Sequence, residues 1–222
     1  AVGGISVRPD AGVAQFADLK GKRLGVAGGA LDKSWLLLRA YARRTVGEDA
    51  ATFLRPQFAA PPLLNELVMR GELPAAMNFW HYTARLSAAG MKELITMPQI
   101  LAGLGIDDEL PLVGWVFRER WARDNAAAIE GFLRASDAAK ALMLESDPVW
   151  DELRPLMRAE NEETFVALRD GFRAGIPRTG VEDAERVATR VFDILAAEGG
   201  EALVGKARTL APGTFWRGGG SR

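Results

Sequence analysis

The run Phe16-Ala-Asp-Leu-Lys-Gly-Lys-Arg-Leu-Gly-Val-Ala-Gly-Gly29 decides the fold. Leu24 to Ala27 is a short apolar strand that stops at two glycines. Asp32 follows, a residue whose carboxylate accepts from the free N–H groups of a helix's first turn. Trp35, Leu38 and Ala42 then recur at helical spacing, and Gly47 ends the helix. A strand that passes through a glycine loop into an amphipathic helix is the building block of an α/β layer.

Working outward, Phe53 to Phe58 reads as a second strand. Pro61 and Pro62 suit the first turn of a helix with Leu63, Leu64, Leu67 and Val68 on one face and Gly71 as its stop. Ala75 to Phe79 predicts a third strand, His81 to Ala89 a helix closed by Gly90, and Lys92 to Met97 a fourth strand. Past this α/β half, Pro111-Leu-Val-Gly-Trp-Val-Phe117 is the most strand-like run that remains. Asp124 is expected to cap a long helix with Ile129, Phe132, Leu133, Ser136, Ala139 and Met143 on its inner side. From Pro148 onward the pattern is helical, with Phe165, Leu168 and Phe172 on one helix and Val187, Val191 and Leu195 on another. These helices follow a single strand, so they have no sheet of their own wide enough to cover their apolar faces. There is no repeat of fixed period, and only Gly218 to Gly220 reads as linker.

Composition narrows the function. With 222 residues, 48% hydrophobic and 26% charged, the chain can build one large core or two small ones. Its 28 basic and 29 acidic residues are interspersed, which argues against nucleic acid as a partner. No apolar run reaches the ~20 residues of a membrane span. Ala1 to Arg8 lack the order of a signal peptide, and the absence of a starting Met points to a piece removed or left out upstream. Without cysteine there is no thiolate nucleophile or thiolate metal site, and one histidine leaves no multi-histidine site.

Phe16 to Val26 resembles the "sLkGKrVgv" strand entry of the periplasmic solute-binding proteins of the nitrate, sulfonate, taurine and thiamine-precursor group. Other segments follow in family order. The Gly28-Gly29 loop opens a helix, Leu63 to Gly71 leads into Pro74-Ala-Ala-Met-Asn-Phe-Trp80, and Leu112 to Phe117 leads into Asn125 to Ala135. The resemblance covers roughly residues 1 to 140. It implies an α/β, periplasmic-binding-protein-like fold of type II: two lobes joined by two crossing segments, with ligand between them. Laid on this chain, residues 8–108 are the second lobe, while 1–7 and 109–222 hold the crossings and the helical part of an incomplete first lobe. It further implies a small-molecule ligand, an ABC permease as partner, a periplasmic or lipid-anchored location, no cofactor and no catalytic centre.

In such folds ligands lie at the carboxyl ends of strands, beside helix N-termini that favour an anion. Gly28, Gly29, Lys33, Ser34 and Trp35 occupy one such junction, where the Ser34 hydroxyl or a backbone N–H can donate to an oxyanion. Asp32 departs from the small neutral residue common there and weighs against a strongly anionic ligand. Asn78, Trp80 and His81 occupy a second junction, where the indole can stack on a ring. Plain readings stand beside these: a capped turn for the glycines, a surface or capping role for His81. Pro61, Pro62 and Asn65 form a third loop, Trp115 is expected in the core, and Glu160, Glu162 and Glu163 complement a helix dipole. The expected ligand is a small organic anion or an aromatic or heterocyclic solute. An enzyme on a similar scaffold, relying on Lys33 or a carboxylate, is one alternative, and an accessory protein that binds a partner is another.

Overall fold

The computed structural model describes residues 3–109, 113–178 and 180–217. Leu24 and Val26, flanked by turns, belong to strand β2 (Arg23–Ala27), an interior strand of a five-stranded sheet. The other strands are β1 (Gly4–Val7), β3 (Arg55–Ala59), β4 (Ala75–Asn78) and β5 (Lys92–Thr96), in the order β3-β2-β4-β1-β5. β2 runs parallel to β3 and β4, while β1 is antiparallel to both β4 and β5. Gly4–Val7, expected within the first crossing segment, thus sits inside the sheet, where all four of its residues are buried. The second strand begins later than Phe53, because Asp49 caps a short helix, α2 (Ala50–Phe53).

Helix α1 (Lys33–Thr45) buries Trp35, Leu38 and Ala42 as its periodicity predicts, and also Leu36 and Leu37. The extra burial has a source far along the chain. Helix α10 (Val181–Val204) packs on α1, and its Val187, Val191 and Leu195 join the core formed with Ile5, Leu24 and Val26. Helix α5 (Met97–Gly103) completes this layer with Met97, Ile100 and Leu101. On the other side, α3 (Pro61–Met69) and α4 (Trp80–Ala88) build a smaller core from Leu64, Val68, Leu73, Ala76 and Leu86. Helix α9 (Glu162–Ala174) lies against α4.

The middle of the chain departs from expectation. Pro111 and Leu112 lie outside the described residues, and Val113 to Phe117 is not a strand. No strand of the described sheet pairs with it, and Val113 and Val116 are 89% and 94% exposed. Trp115, expected in the core, is 59% exposed, with its ring against Phe132 and its Nε1 donating to Ser136 Oγ at 3.0 Å. Asp124 does not cap the long helix. It ends α6 (Glu119–Asp124), and Asn125 stands at the junction with α7 (Ala126–Glu145). Of the side expected to face inward on α7, Ile129 alone is buried, while Phe132 stays 49% exposed. Helix α8 (Pro148–Met157) leads through Arg158, in the left-handed region at φ 51°, to α9.

Candidate functional site

The sheet directs four strand ends to one edge. Ala27 of β2 lies opposite Ala59 of β3, and both Asn78 of β4 and Thr96 of β5 lie opposite Gly4 of the antiparallel β1. Helices α1, α3, α4 and α5 therefore begin at this edge, each with the positive end of its dipole. What they offer differs. Asp32 Oδ1 closes α1 by accepting from the N–H groups of Ser34 at 2.9 Å and Trp35 at 3.4 Å. Helix α3 opens on two prolines, neither of which has an N–H to donate, and Thr96 caps α5 through the Gln99 N–H. No side chain caps α4, which opens on Trp80 and His81.

The predicted residues fall into unlike roles. Gly28, at φ +84°, makes the turn, and a side chain there would press on Asp32 at 3.0 Å. Gly29 is half-buried, Lys33 exposed and Ser34 half-buried. The Ser34 backbone N–H is engaged by Asp32, so the hydroxyl and the Lys33 ammonium are what this loop presents. Trp35 is only 2% exposed and meets Phe58 edge-on at 5.7 Å, so its ring lines the core.

Asn78 is 3% exposed, and its amide is spent inside the protein. Nδ2 donates to the Pro61 carbonyl at 2.9 Å and to Asn65 Oδ1 at 3.0 Å, while Oδ1 accepts from the Phe79 N–H at 2.9 Å. Asn65 in turn donates to the Tyr82 carbonyl at 2.9 Å. This buried pair fixes β4, α3 and α4 to one another, and thereby positions Trp80 and His81. Trp80 leans away from the sheet onto α9. Its ring meets Phe172 at 6.1 Å, and Gly171 leaves it room, since a Cβ there would stand 3.3 Å from the indole. His81 is half-buried against Trp80 and Tyr82, and burial, aided by the Arg85 charge, holds its imidazole below the ordinary pKa of 6.5.

Pattern reading missed the residues that join α4 to the later helices. The Arg85 guanidinium donates to the carbonyls of Met157 at 3.3 Å and Arg158 at 3.2 Å, and pairs with Glu160. Glu160 thus lies outside α9, where Asn161 accepts from the Thr164 N–H as the true cap and Glu162 and Glu163 form the first turn. Between α3, α4 and this turn runs a groove of about 550 Å³, lined by Asn65, Met69, Tyr82, Arg85, Arg158 and Thr164 among others. No periodicity within one helix marks such residues, because they converge from three elements.

Two solved structures share this architecture. The alkanesulfonate-binding protein SsuA from Xanthomonas axonopodis pv. citri, bound to MOPS, superposes with a TM-score of 0.64 at 18% identity, over 89% of this chain and 64% of that one. The periplasmic aliphatic sulphonate binding protein SsuA from Escherichia coli gives a TM-score of 0.56, also at 18% identity, over 88% of this chain and 60% of that one. The fold is periplasmic-binding-protein-like. This chain spans less than two thirds of either binding protein. Neither a family profile nor a curated protein sequence matches it. Ala27, Ala59 and Asn78 bring the carboxyl ends of β2, β3 and β4 to one edge of this sheet. Among the described residues no helix is long and apolar enough to cross a membrane, and no cluster of three or more acidic or histidine side chains is arranged to hold a metal.

Proposed function

We propose that this chain is the solute-binding component of an ABC-type importer, which holds a small organic anion or an aromatic or heterocyclic solute at the strand-end edge. The observation that carries the reading is the uncapped start of α4 at that edge of a binding-protein-like sheet. Three neighbouring helices have their first turns closed by Asp32 or Thr96, or opened by proline, whereas α4 leaves the positive end of its dipole to a ligand. In this reading Lys33 and the Ser34 hydroxyl face the solute from the α1 loop, beside Gly28 and Gly29. His81 borders it from α4, and Trp80, packed on α9, acts with Asn78 and Trp35 as a positioning residue. Residues 8–108 form the second lobe, while 1–7 and 109–222 supply the crossings and the helical part of the first. The solute stabilises a closed arrangement that docks on a membrane permease, in the periplasm or on a lipid anchor. The site binds and does not transform its solute.

The test is calorimetry on the full gene product, stripped of carried ligand by unfolding and refolding. The panel comprises sulfonates, carboxylates, nitrate and pyrimidines. Saturable binding to one class, weakened about tenfold by Ser34→Ala, roughly the worth of one hydrogen bond to a charged group, is expected. Binding to none, or binding that both Ser34→Ala and His81→Gln leave untouched, overturns the assignment, and turnover of a bound compound overturns its non-catalytic part.

A further inference from the structure

The groove between α3, α4 and the α8–α9 turn runs along the two helices from their first turns at Pro62 and Tyr82 to their ends at Met69 and Ala89, and its lining has a definite chemistry. One wall is apolar, formed by Pro62, Met69, Ala88 and Ala89. Asn65 makes its base rigid through bonds to Asn78 and to the Tyr82 carbonyl. Its volume, about 550 Å³, suits a small organic molecule.

Two polar groups single it out. Thr164 is 5% exposed and lines the groove, yet among the described residues its hydroxyl has no hydrogen-bond partner; only its backbone N–H is engaged, by Asn161. The oxygen is not sealed inside the protein but open to the groove, so a molecule lying there can reach it. Arg85 is the second. Its side chain is 23% exposed and held at the groove by the Met157 and Arg158 carbonyls, with the Glu160 carboxylate, itself 66% exposed, as its sole acidic partner among the described residues. An exposed carboxylate is a replaceable partner for a guanidinium. Arg158 brings a further positive charge to the rim, so the groove carries two guanidinium groups against one carboxylate.

We infer that this groove is a binding site for a small organic acid, whose carboxylate takes the place of Glu160 on Arg85, accepts from the Thr164 hydroxyl, and lays a short apolar body against Met69 and Ala88. The inference does not depend on the strand-end site.

Isothermal titration of the purified chain with hexanoate tests it, with butanoate and hexylammonium as controls. Hexanoate is expected to bind saturably, butanoate several-fold more weakly, and hexylammonium not at all. Thr164→Val is expected to weaken hexanoate about tenfold and Arg85→Met to abolish it. Because Arg85→Met also releases the α8–α9 turn, the deciding variant is Glu160→Gln, which leaves Arg85 in place and removes its competitor, and which strengthens hexanoate binding several-fold. Absence of hexanoate binding, loss of affinity in Glu160→Gln, or preference for hexylammonium overturns the site. Ser34→Ala leaves hexanoate affinity unchanged if the groove is the site; a matching loss there would place the acid at the strand ends, overturning this inference while supporting the other.

Discussion

The α/β unit and the stretch from Val113 to Met157 are built from sequences of similar apolar content, yet one is packed and the other is not. Helix α1 has thirteen residues and buries five; helix α7 has twenty and buries one. The difference lies in what surrounds each helix. α1 shares one core with the sheet, α5 and α10, so its apolar side chains find apolar neighbours on more than one side. α7 has α6 and α8 at its ends and the Trp115 indole along one side, but no sheet among the described residues. Helix amphipathicity supplies a face to bury, and tertiary neighbours decide whether burial occurs.

The sharpest way to break this contrast is to truncate one side chain in each region. Leu36 is fully buried, so Leu36→Ala is expected to cost about 3 kcal/mol, the usual loss for a large aliphatic side chain in a core that relaxes only partly. Phe132→Ala, at a half-exposed ring, should cost under ~1 kcal/mol despite removing more atoms. Urea unfolding followed by tryptophan fluorescence measures both, and equal costs would show that α7 is as well packed as α1.

The next effect concerns the tie between β4, α3 and α4. Asn78→Ala leaves the Phe79 N–H, the Pro61 carbonyl and Asn65 Oδ1 without their partner in a buried site, which should cost about 2–3 kcal/mol. Asn65→Ala disrupts the same network, so the double variant should lose less than the sum of the two. Strict additivity would mean the two amides act separately.

These two tests also mark where sequence reasoning reached and where it stopped. The strand at Leu24, the Asp32 cap and the helices around Leu64, Phe165 and Val191 were legible because each is a local pattern of apolar spacing and capping. The extra burial of Leu36 and Leu37 was not, since it depends on α10 more than a hundred residues later. Of the site residues, the edge holding Gly28, Ser34 and Asn78 followed from strand order, but the amide of Asn78 looked available until its three partners were seen. Trp35 looked open and Trp115 looked buried for a related reason. Hydrophobicity gives the tendency of a ring to leave water, and says nothing about whether a neighbour is there to receive it.

A smaller effect probes the contact of α10 with α1. Asp49 receives both the Nε and Nη2 of Arg39, at 3.0 and 2.8 Å, and also Arg43, which reaches Glu198 on α10. The Arg39 pairing pulls the Asp49 pKa from 3.8 to about 2. A depressed carboxylate contributes stability above its unfolded pKa and loses it as pH falls through the folded value. Asp49→Asn should therefore cost roughly 1–2 kcal/mol at pH 7, after allowing for the screening of a partly exposed pair, and progressively less between pH 4 and pH 2. Denaturation midpoints across that range would show the two proteins converging; a constant gap would assign the loss to the cap that Asp49 gives α2 instead.

His81 tests the joint between α4 and α9 by the gentlest perturbation. Its folded pKa lies below 6.5 because its ring is partly buried among Phe79, Trp80 and Tyr82, with Arg85 opposing a second positive charge. The neutral form belongs to the folded state, so stability is complete above the unfolded pKa and declines as pH falls from there toward the folded value. His81→Gln removes that titration while keeping a polar side chain of similar length. Relative to the variant, the parent chain should lose stability between pH 7.5 and pH 5, an amount smaller than any effect above. If the difference between the two proteins stays flat over that interval, the imidazole is as well solvated folded as unfolded. The aromatic packing of α4 against α9 would then be looser in solution than the Trp80 and Phe172 rings imply.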